Sequence, residues 1–595
     1  SRKSYQVTDR WYDASTPVFS NDGKYLFFSA ATEYQSNYSR VEWNASYNVS
    51  SRLFILPLAA DTPNPVAQKS DEYTPKSEGE VKTKEKKTED KQAMKVDTKD
   101  MAMRITMLPL NSERGSLSAV VAVDDNVYFR SSKGMRKLNL KTMQVDDSPM
   151  PVFMAITPDY KKVLVRTAGH FKVINFGSAP GKGPSVPDDD LYMTIDHKAE
   201  WKQIFDESWR ITRDGFYVEN MHGADWNHVY EKYAQMLPYV NHRDDLSYLI
   251  GEMLGELNVG HAYITSGEKP EIPRIATGLL GARYSKDSRT GAFRIEKIFS
   301  GATWDKSLRS PLTEPGVYVK VGDYITEVDG IPASDLKDPG EALVGRAEKV
   351  VALKVASSAS GKNERTVYVR TIADESQLAY YEWVQRNMDI VDKLSNGEIG
   401  YIHIPDMSTE GLDMFTKMYY KQLDKKALII DDRMNGGGNV SPMILERLQR
   451  EVYRISMYRN GANEPVPNEA FYGPKVCLID KYSSSDGDLF PYGFRKLGLG
   501  KLIGTRSWGG IVGISGSKNF VDGQDMRTPF FTSYSTEGEW IIEGHGVDPD
   551  IVVDINPFDD YSGKDAQLEK AVEVLKAELK NYKPLPPTPA APVKN

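Results

Sequence analysis

Apolar strand patterns alternate with helical patterns in the last third of the chain. The strand patterns occupy 399–404, 427–431 and 476–479, and the helical patterns lie near 413–422 and 441–450. A further helix is predicted from about 376 to 394, just ahead of them. Alternating elements of this kind bury their apolar faces against one another in layers. We therefore predict a layered α/β core over residues 373–560.

The last of these strands leads directly into a serine-rich turn. Residues 482–488 read Tyr-Ser-Ser-Ser-Asp-Gly-Asp, and an apolar helix is predicted to begin near Leu489. A strand that turns sharply into a helix projects one side chain at the rim of the sheet and directs the first free N–H groups of the helix to the same place. Such groups stabilise an oxyanion. Ser485 is therefore a candidate nucleophile.

A glycine-rich turn follows the strand at 427–431. Its sequence, 431–439, is Asp-Asp-Arg-Met-Asn-Gly-Gly-Gly-Asn. Three glycines let the backbone approach a substrate closely and offer N–H groups to an oxyanion. A turn of this kind also binds phosphate, but no Lys-Ser or Lys-Thr follows it and the spacing of a dinucleotide site is missing.

Two further candidates come from distant segments. Helical spacing over 201–217, 226–236 and 246–257 predicts a small helical domain over 190–271, whose last helix ends at Gly260 and presents His261. A lone histidine is usually structural, and it gains a chemical role only where a nucleophile needs a base. Near the other end, 539–550 is predicted to be a strand that ends in a turn carrying Glu543.

The first 185 residues repeat a strand, turn and strand pattern. It occurs at 17–28, 121–129 and 154–165, with Asp in each polar turn, and it is typical of β-propeller blades. Three repeats are too few to close a propeller, so we predict a partial one, with an open β-sheet as the alternative. The segment from about 67 to 102 is rich in Lys, Glu, Asp and Thr and is predicted to be a disordered loop.

Residues 272–372 form a compact β-rich unit whose motifs are similar to those of a PDZ domain. The loop formed by Gly278, Leu279, Leu280 and Gly281 corresponds to the PDZ carboxylate loop, whose N–H groups receive a peptide C-terminus. Gly-Asp and Asp-Gly turns at 322–323 and 329–330 strengthen the similarity. A purely structural PDZ-like unit without a ligand is the alternative.

Composition excludes some partners. The chain has 595 residues, enough for three to five domains, and a net charge of -8 without a basic stripe, which argues against nucleic acid. No apolar run is long enough to span a membrane. The single cysteine, Cys477, lies in an apolar strand and is predicted to be a core residue. The first residues contain neither an initiator Met nor a signal-peptide core, so the chain reads as processed or trimmed.

Taken in order, these motifs resemble a tricorn protease, a relative of the C-terminal processing peptidases. The resemblance rests on Gly-His-Ala-Tyr at 260–263, the PDZ-like insert, the glycine turn, the serine elbow and Glu-Gly-His-Gly-Val-Asp-Pro-Asp at 543–550. It covers about 190–560 and implies a multidomain fold of α/β and all-β parts: propeller, helical domain, PDZ-like domain and a crotonase-like peptidase core. Residues 561–595 are predicted to form a C-terminal helix and a Pro-rich tail.

The resemblance also implies site roles. Ser485 would attack a peptide carbonyl, His261 would transfer its proton to the leaving amine, and Glu543 would support the imidazolium through the other ring nitrogen. The N–H groups of Gly437 and Asp486 would form the oxyanion hole, leaving the carboxylate of Asp486 free to cap the helix near Leu489.

Two departures from the family pattern bear on activity and specificity. Tricorn proteases carry a serine before the catalytic histidine, where this chain has Gly260, so a hydroxyl that helps to position the acid is missing. A water or a neighbouring serine would have to replace it. The stretch 453–459, which corresponds to the family's acidic P1 determinant, contains no Asp or Glu. A preference for basic P1 residues is therefore not carried over.

The sequence predicts a serine peptidase that acts on peptides or oligopeptides without a metal or organic cofactor. A catalytically inactive PDZ and propeller scaffold is one alternative, and a zinc hydrolase using His261 and His545 is another, although the metal-ligand spacing is missing. The resemblance further implies a homo-oligomer, a hexamer in the family, and a cytoplasmic location. A periplasmic or exported location stays open because the N-terminus reads as trimmed.

Overall fold

The computed structural model describes residues 4–593 except 9–11, 39–44, 68–93, 111–112, 114, 168, 179–182, 188–190, 268–271, 303 and 518. The chain divides into two compact units, Ser1–Thr194 and Ile195–Asn595. All the candidate catalytic residues belong to the second unit. Within the described residues, no helix combines the length and the apolar composition needed to cross a bilayer.

The first unit contains three antiparallel sheets. One has the order β1-β2-β3-β4, the next β5-β6-β7-β8 and the last β11-β10-β9. Their strands are β1 Ala14–Phe19, β2 Tyr25–Tyr38, β3 Ala45–Pro57, β4 Thr106–Met107, β5 Ser118–Val123, β6 Asn126–Ser131, β7 Gly134–Asn139, β8 Gln144–Met150, β9 Phe153–Ile156, β10 Lys162–Thr167 and β11 His170–Asn175. Small antiparallel sheets of this kind are the units of propeller blades.

The three predicted strand pairs of this unit are confirmed. They are the antiparallel pairs β1–β2, β5–β6 and β9–β10. Most of the predicted disordered loop at 67–102 lies outside the described residues, and its described end enters a 3-10 helix at Met101–Arg104.

The second unit opens with a helical part. It comprises α1 His197–Gly215, α2 Trp226–Ala234 and α3 Arg243–Gly255, followed by the short strand β12 Tyr263–Ile264. Asp196 and Asp225 cap α1 and α2 by accepting N–H groups of the first turn. Apolar residues of the three helices pack in one core. The chain leaves α3 and reaches His261 just before β12.

A six-stranded antiparallel sheet follows, with the order β13-β14-β15-β17-β18 and with β16 paired to β15. Its strands are β13 Ala282–Lys286, β14 Phe293–Ile298, β15 Tyr324–Val328, β16 Ile331–Pro332, β17 Val350–Ala356 and β18 Arg365–Arg370. The sheet has its own apolar core, which also takes Leu343 from the 3-10 helix Pro339–Leu343.

The candidate site is built on a five-stranded parallel sheet with the order β19-β20-β23-β24-β27. Every residue of β19, β20 and β23 is buried, as expected for strands covered by helices. The elements of this core are α4 Ser376–Ser395, β19 Ile399–His403, α5 Thr409–Tyr419, β20 Ala427–Asp431, α6 Ser441–Leu448, β23 Lys475–Ile479, α7 Asp486–Lys496, β24 Gly500–Gly504, β27 Ile551–Val552 and α9 Ala566–Leu579. Cys477 is buried in β23, as predicted.

Smaller elements complete the second unit. The strands β25 Gly513–Gly516 and β26 Met526–Phe531 form a sheet with β12, while β21 Arg454–Ser456 pairs with β22 Glu464–Val466, and α8 is Pro557–Tyr561. The pairing of Tyr263 with Arg527 and of Ile264 with Met526 joins the segment that carries His261 to β26.

Three predicted boundaries are wrong. Helix α5 begins at Thr409 because Ser408 caps it, with its hydroxyl accepting from Glu410 N at 3.3 Å. Helix α7 begins at Asp486, earlier than predicted, with Ser485 at its N-cap position. The predicted strand before Glu543 is reduced to a single bridge between Tyr534 and Trp540, because the chain turns at Ile542, whose φ is 65°.

Candidate active site

Ser485 occupies a strained backbone position between β23 and α7. Its φ and ψ are 59° and -119°, a combination that residues other than glycine rarely adopt. Its N–H donates to Asp488 Oδ2 at 3.0 Å, which fixes the turn to the first residues of the helix. Strain of this kind in a strand-to-helix turn is the hallmark of a nucleophile elbow, which exposes one hydroxyl above a sheet.

The glycine turn lies directly against this elbow. A Cβ added at Gly437, whose φ is +84°, would lie 2.5 Å from Ser485 Cβ and 2.9 Å from Asp486 N. Ser484 N also donates to Asn435 O at 2.9 Å. The sequence prediction that these two segments meet is therefore matched by their contact, and only glycine leaves room for it.

The two predicted oxyanion donors, Gly437 N–H and Asp486 N–H, differ in whether they already donate a hydrogen bond. Gly437 N–H donates to Asn435 Oδ1 at 2.9 Å, so it is already engaged. The N–H of Asp486, at the start of α7, donates to no described residue. The N–H groups of Gly436 and Gly438 likewise lack an acceptor within the described part of the chain. The glycine turn thus has N–H groups to offer, although the predicted one needs its bond to Asn435 to break.

The carboxylate of Asp486 has a different role from the predicted one. It accepts from Ser441 N at 2.9 Å and from the Ser441 hydroxyl, so it caps α6 and not its own helix. Burial raises the pKa of Asp486 above its usual value, and the bonds from Ser441 offset part of that rise. The cap locks α6 to the nucleophile elbow.

Asp488, which sequence reasoning did not single out, binds the elbow to the loop at 507–512. Its Oδ1 accepts from the Ser507 hydroxyl and from Gly509 N at 2.9 Å, and its Oδ2 accepts from Gly510 N at 3.2 Å as well as from Ser485 N. Burial raises the pKa of Asp488, against the effect of these bonds. Its carboxylate is therefore fully committed to holding backbone.

Glu543 holds the backbone on both sides of His261. Its Oε1 accepts from Gly260 N at 2.9 Å, and its Oε2 accepts from Ile511 N at 2.7 Å and Val512 N at 3.0 Å. His261 Nδ1 lies 3.0 Å from Val512 O. The predicted contact of Glu543 with the ring is thus replaced by an indirect one through the Val512 peptide.

This arrangement also accounts for the missing family serine. The N–H of Gly260 itself supplies a hydrogen bond to the acid, and the two further donors come from the 507–512 loop. No water or serine side chain is required to give each carboxylate oxygen of Glu543 a donor. Among the described residues, Glu543 is therefore held by three backbone N–H groups.

The 507–512 loop is the part of the site that sequence reasoning missed. Besides the bonds above, Trp508 N donates to Ser483 O at 2.9 Å. The loop follows β24 and reads Ser-Trp-Gly-Gly-Ile-Val. Its paired glycines begin five residues after the end of β24, just as the glycines at 436–438 begin five residues after the end of β20, and this shared signal would have found the loop.

Ser485 and His261 are brought into one region but are not hydrogen-bonded. Among the described residues, no bond joins the Ser485 hydroxyl to the imidazole. His545, the second histidine of the zinc alternative, lies 2.8 Å from Asp548 through Nε2. Within the described part of the chain, no group of three or more potential ligand side chains is placed to hold a metal ion.

The PDZ-like loop is only partly free. Gly278 N donates to Leu343 O and Leu279 N to Ile372 O, both at 2.8 Å. The N–H groups of Leu280 and Gly281 donate to no described residue. The loop borders a cavity of about 270 Å³ that Arg283, Asp338 and Glu375 also line. Two of the four predicted donors therefore remain for a carboxylate, in a cavity where Arg283 pairs with Glu375.

A buried ion-pair cluster holds the first residues of the glycine turn. Arg433 donates to Asp431 through Nε at 2.8 Å and Nη2 at 2.6 Å, and to Asp565 through Nη1 at 2.9 Å. Burial alone would raise the pKa of Asp431, but the guanidinium outweighs it and holds the pKa below its usual value. Burial and the neighbouring carboxylates raise the pKa of Asp432 well above normal.

Comparison with known proteins places these features in one family. Three family models match the second unit: Tricorn protease C1 domain over 197–255, Tricorn protease PDZ domain over 278–374 and Peptidase family S41 over 398–553. The crystal structure of the tricorn protease matches with a TM-score of 0.81 at 28% identity, covering 98% of this chain and 56% of that chain.

Two curated relatives match over nearly the whole chain. Tricorn protease homolog 1 of Streptomyces coelicolor is 31% identical, covering 95% of this chain and 55% of its own length. The chain thus spans little more than half of that relative. A protein of Sulfurisphaera tokodaii named as a tricorn-like protease C-terminal subunit is 31% identical, covering 97% of this chain and 67% of its own length. The chain belongs to the tricorn protease family.

Proposed function

We propose that the chain is a serine peptidase in which Ser485 is the nucleophile and His261 the general base. The observation that carries the proposal is the strained elbow at Ser485, packed against the glycine turn. A hydroxyl held at a strand-to-helix turn beside free N–H groups has the means to attack a carbonyl and to stabilise the oxyanion that results.

The tautomer of His261 suits the role of base. A carbonyl oxygen accepts hydrogen bonds and cannot donate, so the Nδ1 that faces Val512 O carries the proton in the neutral ring. Nε2 is then left with a lone pair to accept the Ser485 proton and to return it to the leaving amine. Hydrogen bonds between nucleophile and base are often long without substrate, so we expect the Ser485 to His261 bond to form when a peptide binds.

Two N–H groups would stabilise the tetrahedral intermediate. Asp486 N–H is available at the start of α7, where the helix dipole also favours negative charge. Gly437 N–H would exchange its bond with Asn435 for one to the oxyanion. Each such donor typically contributes about 3 kcal/mol to transition-state stabilisation.

We further propose that the substrates are peptides or oligopeptides and that the chain associates with further copies of itself. Support comes from the family and from the names of the relatives, which are proteases. The absence of an acidic residue in 453–459 argues against a preference for basic P1 side chains. Size-exclusion chromatography with light scattering measures the assembly directly.

The proposal is tested by covalent labelling. A fluorophosphonate probe should label the wild-type chain on one serine, identified by mass spectrometry, and Ser485→Ala should remove the label. Ser484→Ala, one residue earlier in the same triple serine, is the matched control and should keep it. A well-folded wild-type chain that takes no label would overturn the proposal and favour a binding scaffold.

A further inference from the structure

Trp508 lies in a slot formed by two glycines. A Cβ added at Gly510 would lie 2.3 Å from Trp508 Cζ3, and one added at Gly260 would lie 3.2 Å from Trp508 Cη2. The indole ring thus rests directly on both backbone segments. Because Gly260 immediately precedes His261, the ring occupies space beside the candidate base that a side chain at position 260 would need.

The same indole contacts the imidazole of His261. The two ring centroids are 5.3 Å apart with an interplanar angle of 62°, an edge-to-face arrangement that aromatic pairs favour. The backbone of Trp508 is tied to the other catalytic segment, since its N–H donates to Ser483 O at 2.9 Å. One residue therefore touches the base and the turn that carries the nucleophile.

Part of the indole remains open to solvent. Trp508 is 43% exposed, and Met434 and Tyr482 are 66% and 58% exposed. The backbones of Met434 and Tyr482 are held together, because both N–H groups donate to Asp480 Oδ1, at 3.0 and 2.9 Å. Three large apolar side chains are therefore exposed on the turns that surround Ser485, where a peptide substrate would have to lie.

We propose that Trp508 is a positioning residue for His261, and that its exposed face binds an apolar or aromatic substrate side chain next to the scissile bond. The proposal rests on the proposed peptidase function and adds to it a substrate class. The edge-to-face contact restricts rotation of the imidazole about its side-chain bonds, a restriction that Glu543 imposes only through the Val512 peptide. The open face offers apolar area to the substrate, which is the main source of affinity in such sites.

The first test separates positioning from substrate contact. We compare Trp508→Ala and Trp508→Phe with the control Trp304→Ala, at an exposed tryptophan whose ring contacts Tyr381. Each variant is labelled with a short-chain fluorophosphonate and assayed on paired peptides that carry Leu or Ser beside the scissile bond. We expect Trp508→Ala to slow labelling about 3- to 10-fold, the effect of one aromatic pair. Trp508→Phe should stay within about twofold, because an edge-to-face contact survives.

The peptide pair reports on the open face of the ring. In the wild type, kcat/KM should favour the Leu peptide over the Ser peptide, and Trp508→Ala should reduce that ratio about 5-fold or more, mainly through KM. A residue that only supported the fold would lower kcat/KM for both peptides by the same factor. An unchanged ratio in Trp508→Ala, with labelling as fast as in the wild type, overturns the proposal.

A double-mutant cycle tests the slot itself. Gly260→Ser in the wild-type background should slow labelling about 10-fold, because the added Cβ would meet Gly510 Cα at 3.0 Å and the indole at 3.2 Å. The same change in Trp508→Ala, where only the contact with Gly510 remains, should cost about threefold or less. Equal costs in the two backgrounds overturn the claim that the ring fills the slot. A wild-type chain that takes no label overturns the peptidase function itself, and thermal unfolding of each variant shows whether a loss reflects misfolding.

Discussion

Glu543→Gln is the change that most directly tests how the acid works. The carboxylate accepts three backbone N–H groups, from Gly260, Ile511 and Val512, at 2.7 to 3.0 Å. An amide has one accepting oxygen, so its NH₂ group must face at least one of these N–H groups. If the oxygen keeps Ile511 and Val512, the donor of Gly260 loses its partner and meets another donor.

The size of the effect follows from these bonds. A hydrogen bond to a charged group contributes about 1.5–3 kcal/mol and a neutral one about 0.5–1.5 kcal/mol. Losing one charged bond and turning two others into neutral ones therefore costs about 3.5–6 kcal/mol. If this cost falls on the catalytic geometry, it corresponds to a drop of about 400- to 25,000-fold in kcat/KM. The mechanism is displacement of the Gly260 N–H, which directly precedes His261, together with a weaker hold on Val512, whose carbonyl fixes the tautomer of His261.

The assay compares the rate of fluorophosphonate labelling and kcat/KM for Glu543→Gln, wild type and Glu539→Gln. Glu539 is exposed and lies four residues earlier, so its replacement removes the same charge without touching the site. Urea unfolding of each variant separates lost stability from lost positioning. If Glu543→Gln keeps kcat/KM within about threefold of wild type, the indirect positioning of His261 through Glu543 is refuted.

Three further predictions concern the turn beneath the nucleophile. Gly437→Ala should abolish labelling and lower the free energy of urea unfolding by about 2–4 kcal/mol, because its Cβ would meet Ser485 Cβ at 2.5 Å and its φ is +84°. Arg433→Met should lower the same free energy by about 3–5 kcal/mol, since it strands the buried carboxylate of Asp431. The pKa of Asp432 is raised on folding, so the native state keeps a proton that the unfolded state loses, and stability falls as pH rises above about 4. In urea unfolding above about pH 4, the free energy of unfolding of Asp432→Asn should fall less steeply with pH than that of the wild type. An identical pH dependence would contradict the raised pKa of Asp432.

The two turns that follow neighbouring strands of the parallel sheet could be predicted. The elbow at Ser485 and the turn at Gly437 each follow a buried strand of one sheet, and the carboxyl ends of neighbouring parallel strands meet at one edge. Strand pattern and turn composition therefore placed both, and their contact is seen in the structure. Local signals of this kind are strong because the backbone conformation itself demands glycine or a short polar residue.

The bonds between distant segments could not be predicted. Asp486 caps a helix that begins 45 residues earlier, at Ser441, and Glu543 accepts from a residue 283 positions away, Gly260. Both carboxylates bind backbone N–H groups, which every residue other than proline carries, so the sequence of the partner gives no sign of the bond. The strand predicted before Glu543 was wrong for a related reason. The apolar alternation of this segment predicts a strand, but the chain turns at Ile542 and so brings the Glu543 carboxylate to its distant backbone partners.

The loop at 507–512 explains how the site tolerates Gly260 where the family carries a serine. The N–H groups of Gly509 and Gly510 bind Asp488, which holds Ser485 N, and the next two N–H groups of the loop bind Glu543. The proposed nucleophile and the proposed base are thus both held by one short segment, so a serine hydroxyl is not needed to fix their relative positions. The same logic makes the glycines of the loop irreplaceable: a Cβ at Gly509, whose φ is +92°, would lie 2.5 Å from Gly546 N. A side chain there would push the loop away from both carboxylates at once, and the elbow and the imidazole would lose their common support together.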